Sequence, residues 1–304
     1  MKSPKPKLLI LLGPTAVGKS DLAVKLAKQL NGEIISADSR QVYKGLDLGT
    51  GKITKKEMRG IPHHLIDVAN PKKQFTVTEF VTLGEKAIQE ILSRKKLPII
   101  CGGTGFYVSA LVGGVIFPDV PPNKKLRLAL SKKTSIELFK MLQKIDPKRA
   151  RSIDPKNSRR IIRAIEIAKV LGSVPKTKSK QKYDAHYIGL MLPRAELKKR
   201  ISIRLFARLP AGRQEYREGM IREAKNLHAK GLSWKRMDEL GLEYRYLAKF
   251  LQKEISRAEM ISRLLTEIWH YARRQMTWFK RDKKIKWFNP KNTQGIEKFL
   301  QKSL

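Results

Sequence analysis

Eight consecutive residues, Gly13-Pro14-Thr15-Ala16-Val17-Gly18-Lys19-Ser20, carry the clearest chemical signal in this 304-residue chain. They fit the pattern of a glycine, four variable residues, then Gly-Lys-Ser/Thr, which grips phosphate groups. The chemistry follows from the residue types. Backbone N–H groups of a tight loop and a helix N-terminus converge on one point, a lysine ammonium neutralises a terminal phosphate, and a hydroxyl holds Mg²⁺. Lys19 and Ser20 are the candidates for the last two roles. Asp38, within Ser36-Ala37-Asp38-Ser39-Arg40-Gln41-Val42-Tyr43, is the candidate base. A carboxylate there can accept a proton from a bound nucleophile or support the metal, and its bland alternative is a capping role. Thr104 follows Gly102-Gly103, where small residues let a substrate approach the backbone. Arg159, Arg160 and Arg163, interleaved with Ile161 and Ile162, suit phosphate contact. Arg273, Arg274, Lys280 and Arg281 surround Gln275, Trp278 and Phe279, whose aromatic rings are expected to stack on bases.

The elements that must position these residues are legible in outline. The run Leu8 to Leu12 before the glycine loop reads as a buried parallel strand, and Leu22, Leu26 and Leu30 with Ala23 and Ala27 open a helix after it. Glu33 to Ser36 reads as a second strand ending at Asp38. Leu97 to Cys101 reads as a third, ending in Gly102-Gly103-Thr104-Gly105, after helical periodicity from Phe80 to Leu92. Repeated strand–helix units imply an α/β fold whose parallel sheet binds ligands at the strand carboxyl ends. Pro118, Pro121 and Pro122 mark a break, followed by a basic helical stretch from Leu126 to Gly172 and a lysine-rich loop from Ser173 to Asp184. Tyr187 to Leu192 is expected to rejoin the sheet, with helices to Phe279 beyond it. The core is thus 1–116 with 186–304, and 117–185 is a helical insertion. Pro210-Ala211-Gly212 interrupts a basic helix and reads as a surface insertion.

Composition narrows the partner. The chain has 65 Lys and Arg against 27 Asp and Glu, a formal charge of +38, which favours polyanions and nucleic acid first. No apolar run approaches the roughly 20 residues of a membrane span, so a cytoplasmic protein without membrane attachment is expected. Cys101 stands alone, which excludes an intramolecular disulfide and a cysteine-rich zinc site. The histidines show no metalloprotease spacing, and His63-His64 reads as structural. A small-molecule kinase would explain the loop but not the charge. A nucleic-acid-stimulated NTPase would want an acid where the third strand ends in Gly102-Gly103-Thr104.

Taken in order, the motifs resemble those of the tRNA dimethylallyltransferase family, bacterial type. They are the phosphate loop, Asp38 to Tyr43, Gly49-Thr50-x-Lys52, Pro62 to Asp67, Gly102-Gly103-Thr104-x-x-Tyr107, Arg159-Arg160-x-x-Arg163-Ala164-x-Glu166, and Ala272-Arg273-Arg274-Gln275-x-Thr277-Trp278-Phe279. The resemblance spans nearly the whole chain. It implies a P-loop NTPase-like core with an inserted helical domain and a helical C-terminal part. It implies transfer of a dimethylallyl group from its diphosphate to the exocyclic amine of the adenosine 3′ to the anticodon, in tRNAs reading codons that begin with U. Gly13 to Ser20 and Arg204 would then hold the diphosphate with Mg²⁺, Lys19 and Asp38 would act in the chemistry, and Thr104 would line the channel for the adenosine. Asp38, Ser39, Arg40, Gln41, Thr104, Arg127, Arg159, Arg160, Ile161, Ile162, Arg163, Arg274 and Gln275 would contact the anticodon arm. A monomer is expected. The sequence departs from the family pattern at Ile268-Trp269 and at Gly241-Leu242-Glu243-Tyr244.

Overall fold

The computed structural model describes residues 5–115, 117–175, 182–209 and 219–304. The Pro210-Ala211-Gly212 interruption, most of the lysine-rich loop after Ser173, and the first residues of the helix expected from Arg217 lie outside them. The chain divides into two compact units, Met1–Gly114 with Gln181–Leu304, and Val115–Lys180.

The larger unit is built on six parallel strands in the order β3-β2-β4-β1-β5-β6. These are β1 (Lys7–Leu12), β2 (Gly32–Ser36), β3 (His63–His64), β4 (Leu97–Gly102), β5 (Asp184–Leu190) and β6 (Lys286–Phe288). Helices α1 (Lys19–Gln29), α2 (Lys55–Met58), α3 (Val77–Ser93) and α4 (Gly105–Val112) accompany the first four strands. Leu8 to Leu12 are all buried because helices cover both faces of β1, which is why this strand reads as an unbroken apolar run rather than an alternating one. The chain runs outward from β1 through β2 to β3, then reverses to insert β4 between β1 and β2. That reversal opens a crevice at the carboxyl ends, between the loops that follow β1, β2 and β4.

Two strands escaped the sequence reading. β3 and β6 are two and three residues long, too short to show a period, and each lies at a sheet edge where only one neighbour stabilises it. β5 begins at Asp184, which pairs with Lys7, so the expected insertion boundary at 185 falls inside a core strand. The helices that follow are α9 (Arg194–Arg208), α10 (Gly219–Ala229), α11 (Trp234–Leu240), α12 (Leu242–Leu251), α13 (Arg257–Phe279) and α14 (Thr293–Ser303), the last lying beyond the point at which the helical reading stopped.

The smaller unit holds α5 (Lys124–Ser131), α6 (Ser135–Ile145), α7 (Pro147–Ala150) and α8 (Ser158–Leu171). Leu130, Leu138, Leu142, Ile161 and Ile165 form its core. Thr134 and Glu137 make a reciprocal capping box that starts α6, and buried Asp146 caps α7 while accepting from the Val174 N–H at 2.7 Å. Among the described residues no helix is long and apolar enough to cross a membrane.

One ionic cluster pins the sheet edge. Glu33 at the start of β2 is 2 % exposed and accepts from Arg94 Nη2 at 2.7 Å, Lys96 Nζ at 3.0 Å and His64 Nε2 at 2.8 Å. Burial alone would raise its pKa, but these hydrogen bonds outweigh it and bring the carboxyl from an ordinary 4.5 to about 2. A depressed acid contributes stability above its unfolded pKa and loses it as pH falls through its folded one. Glu33→Gln should therefore destabilise the protein by about 3 kcal/mol at pH 7. In denaturant titrations the gap to the wild type should narrow steadily from pH 4.5 towards about 2. A gap that stays constant across that range would remove the ionic account.

Candidate functional site

The phosphate loop runs from the buried end of β1 into α1, and its backbone departs from ordinary conformations twice. Ala16 has φ 62° and Gly18 has φ 99°, left-handed values that turn the chain back so that N–H groups face inward. Glycine is the residue that tolerates the second of these without strain. The N–H groups of Ala16 to Gly18 donate to no protein acceptor among the described residues, and those of Lys19 and Ser20 begin α1 with none in the preceding turn. Five converging donors make an anion cradle.

Cations complete it. Lys19 folds over the loop, donating from Nζ to the Pro14 carbonyl at 2.7 Å. Burial pushes its pKa down to about 8, with Cys101 opposing, Arg204 reinforcing and Asp38 opposing that shift. Arg204 donates to Thr15 Oγ1 at 3.2 Å and to the Gly51 carbonyl at 2.9 Å. It belongs to a stripe at helical spacing on α9. Arg200 reaches the Val17 carbonyl at 3.4 Å, and Arg208 reaches the Leu48 carbonyl at 2.8 Å. Arg200 and Arg208 were not singled out in the sequence, although their four-residue spacing around Arg204 was a usable signal.

Asp38 lies two residues beyond β2, facing the same cavity. Its Oδ1 accepts from the Arg40 N–H at 2.8 Å and the Gln41 N–H at 3.4 Å. The carboxylate therefore does shape the local turn, but through one oxygen. Oδ2 makes no hydrogen bond or ion pair among the described residues. Thr104, at the start of α4, accepts from the Ser39 N–H at 3.0 Å and hydrogen-bonds Tyr271 of α13, so it ties the Asp38 loop to two other elements. Burial pushes the Tyr271 hydroxyl up, and its sequence position inside a basic helix gave no hint of a site role. Glu243, at a family departure, also lines the cavity, 3.9 Å from Arg208. Burial raises its carboxyl against the pull of Arg208.

Together these residues surround a cavity of about 410 Å³ bordered by Thr15, Lys19, Ser20, Asp38, Arg204, Glu243 and Tyr271. One wall offers N–H groups and cations to the oxygens of an anion. The other offers a carboxylate oxygen without a partner. Among the described residues no group of three His, Cys, Asp or Glu side chains is arranged to hold a metal. The exposed Ser20 would offer its hydroxyl to a hard cation such as Mg²⁺, which would add charge neutralisation beside a bound diphosphate.

The models of two families match the chain, IPP transferase over residues 41–282 and isopentenyl transferase over residues 6–75. The chain belongs to the IPP transferase family. A tRNA dimethylallyltransferase of Alkaliphilus oremlandii is 39 % identical over 98 % of this chain and 96 % of its own length. A tRNA dimethylallyltransferase 2 of Treponema denticola is 43 % identical over 93 % of this chain and 94 % of its own. Among solved structures, the full-length tRNA isopentenylpyrophosphate transferase of Bacillus halodurans has a TM-score of 0.71 at 38 % identity, covering 98 % of this chain and 95 % of that one. A eukaryotic dimethylallyltransferase acting on tRNA has a TM-score of 0.76 at 27 % identity, covering 90 % of this chain and 69 % of that one.

The remaining family positions divide by burial. Arg274 is exposed at the cavity rim, and Ser39, Arg40 and Gln41 are partly exposed beside Asp38. Gln275 is buried, its amide accepting from the Thr15 N–H and donating to the Gly103 carbonyl, both at 2.9 Å. Phe279 is 2 % exposed in the core, which corrects the expectation that it stacks on bases. Trp278 packs edge-on against Phe106. In the smaller unit Arg159 and Arg160 are exposed and Ile162 is partly so. Ile161 is fully buried in the core, so its side chain is out of reach of RNA. Arg127 donates from Nη2 to Glu166 at 2.7 Å; Arg163 is paired with the same carboxylate and with the Val120 carbonyl at 2.9 Å.

The lowered Lys19 pKa has a measurable consequence. A diphosphate needs the ammonium form, which the unliganded protein loses above about pH 8. Affinity for an organic diphosphate should therefore fall by about tenfold per pH unit above that value, with a proton taken up on binding. Calorimetry in buffers of different ionisation enthalpy reads both effects. Lys19→Met should abolish the uptake, and uptake that persists in that variant would assign it to another group.

Proposed function

We propose that the chain transfers a dimethylallyl group from dimethylallyl diphosphate to the N6 amine of the adenosine 3′ to the anticodon, in tRNAs reading codons that begin with U. The observation that carries this reading is the unpartnered Asp38 carboxylate oxygen facing an anion cradle across one cavity. Adenine N6 is a weak nucleophile because its lone pair is delocalised into the ring. Its attack on the first carbon of the donor forms the N–C bond while the bond from that carbon to diphosphate oxygen breaks. The nitrogen becomes strongly acidic as this happens, and Asp38 Oδ2 takes the proton. Thr15 to Ser20, Lys19 and Arg204 hold the diphosphate and stabilise the charge that develops as it leaves. Ser20 would hold Mg²⁺ against the diphosphate, where the ion supplies further charge neutralisation. The adenosine must leave its stack to enter such a cavity, and the basic surface is suited to holding the anticodon arm while it does. Action on tRNA would place the protein in the cytoplasm, and one chain supplies every residue that lines the cavity, so a monomer would suffice.

Within the smaller unit, Arg159 and Arg160 are the arginines available for phosphate, whereas Arg127 and Arg163 are held by Glu166. Two outcomes follow. Replacing Arg159 and Arg160 by alanine should lower the salt dependence of tRNA affinity by about one log unit per lost contact. Replacing Arg163 should instead lower thermal stability, because it leaves part of a buried carboxylate uncompensated. An unchanged salt slope in the double variant would place both arginines off the RNA.

Asp38→Asn keeps shape and the capping acceptor but removes the basic oxygen. Single-turnover transfer should slow by at least about a hundredfold with donor and tRNA affinities little changed. Transfer at the wild-type rate would reduce Asp38 to its role in the turn. Lys19→Ala should cost about 10²–10³ in rate, and chelation of Mg²⁺ should slow transfer as well.

A further inference from the structure

The cavity continues past the cradle into a lobe on the α1 face of the sheet. Ile34 and Ser36 of β2 point to that face, since they are two residues apart and alternate with Glu33 and Ile35. His63 of β3 is in register with Ile34, and Cys101 of β4 is in register with Ser36. His63 therefore shares the face, while His64 points the other way, to Glu33. Ala23, Ile34, Ile53 and Ile66 give the lobe apolar walls suited to a short hydrocarbon chain.

Two polar groups stand among these walls. Ser36 is 6 % exposed as a residue, lines the cavity, and its hydroxyl makes no hydrogen bond among the described residues. His63 commits Nδ1 to the Ile61 carbonyl at 2.8 Å, so that nitrogen carries the proton. Burial lowers the His63 pKa, which favours the neutral ring. Its Nε2 is then a bare acceptor, again without a partner among the described residues. A hydroxyl and a bare imidazole nitrogen that border the cavity beside a hydrocarbon wall are poorly matched to a purely apolar tail. They are complementary to a hydroxyl, which donates to one nitrogen and accepts from one O–H.

We propose that this lobe is a hydroxyl-recognising subsite, and that the enzyme also accepts a five-carbon allylic diphosphate bearing a hydroxyl at its distal carbon. The inference rests on the prenyl-transfer reading above and extends its donor class. The reaction balances without a further reactant. The N6–carbon bond forms, the carbon–diphosphate bond breaks, Asp38 takes the N6 proton, and the distal hydroxyl passes unchanged into the product. The hydroxyl's hydrogen is shared with His63 Nε2, and its oxygen accepts from Ser36.

The test is a competition between dimethylallyl diphosphate and its (E)-hydroxymethyl analogue, with an anticodon stem-loop as acceptor and both products resolved by mass. For the wild type, kcat/KM for the hydroxylated donor should be at least about a tenth of that for the plain one. In Ser36→Ala, the ratio of hydroxylated to plain kcat/KM should fall about tenfold, the worth of one hydrogen bond. A wild-type ratio below about one in a hundred overturns the proposal without recourse to any variant, as does a ratio that Ser36→Ala leaves unchanged. Absence of transfer from the plain donor would instead overturn the prenyl-transfer reading itself.

Discussion

The buried amide of Gln275 is the contact on which the site depends. It sits on α13 in the stripe Met260, Leu264, Ile268, Ala272, Gln275 and Phe279, where every other member is apolar. Its carbonyl oxygen takes the Thr15 N–H of the phosphate loop, and its NH₂ group takes the Gly103 carbonyl at the end of β4. Only a neutral side chain with one acceptor and one donor end can bridge a backbone donor to a backbone acceptor in this way; glutamate has no donor when ionised, and leucine would leave both groups unpaired. A side chain on Gly103 would collide with this amide, so the glycine is needed for closeness rather than for its backbone angles. One helix is thus fastened to the loops of the two central strands, and the crevice opened by the strand order acquires a fixed wall.

Around that clamp the charges are sorted by distance from the cradle. Three arginines of one α9 stripe reach loop carbonyls at Val17, Gly51, Leu48 and Gly49, so they both build the loops and set the local potential. Arg208 and Arg204 sit close enough to Glu243 for this acid to offset some of the charge. The burial that lowers Lys19 and the neighbouring Cys101 and Asp38, which raise it, act on one group in opposite directions. A diphosphate entering the cradle tips that balance towards the ammonium form. The site is therefore electrostatically incomplete without its ligand, which is how strong selectivity for a polyanion arises from groups that are individually destabilised.

In the smaller unit the same residue type has two fates. Arg127 and Arg163 are drawn inward by Glu166, which is 1 % exposed and also takes the Asn123 N–H at 2.6 Å. Burial would raise this carboxyl, and Arg127, the Asn123 N–H and Arg163 outweigh it and keep it low. The knot joins the chain before α5 to α8. Arg159 and Arg160, one turn away on α8, remain in solvent because no acid is buried beside them.

Much was legible in the residues themselves. The apolar run before the glycine loop and the spacing after it specify strand, loop and helix, because burial on both faces and the helical repeat leave distinct periodicities. The position of Asp38 and Thr104 at strand ends followed from the same patterns, since parallel strands deliver their carboxyl-terminal loops to one edge. What the sequence could not convey was which side chains point into protein and which into solvent. Arginine and glutamine are written identically in both settings. Gln275 became a clamp, Arg163 a strut and Arg204 a wall of the cavity only when distant segments converged on them. Edge strands of two and three residues were likewise invisible, for their hydrogen bonds come from neighbours rather than from their own pattern. Local periodicity determined the elements and the chemistry available; long-range packing decided which of those groups is left without a partner, and so able to act.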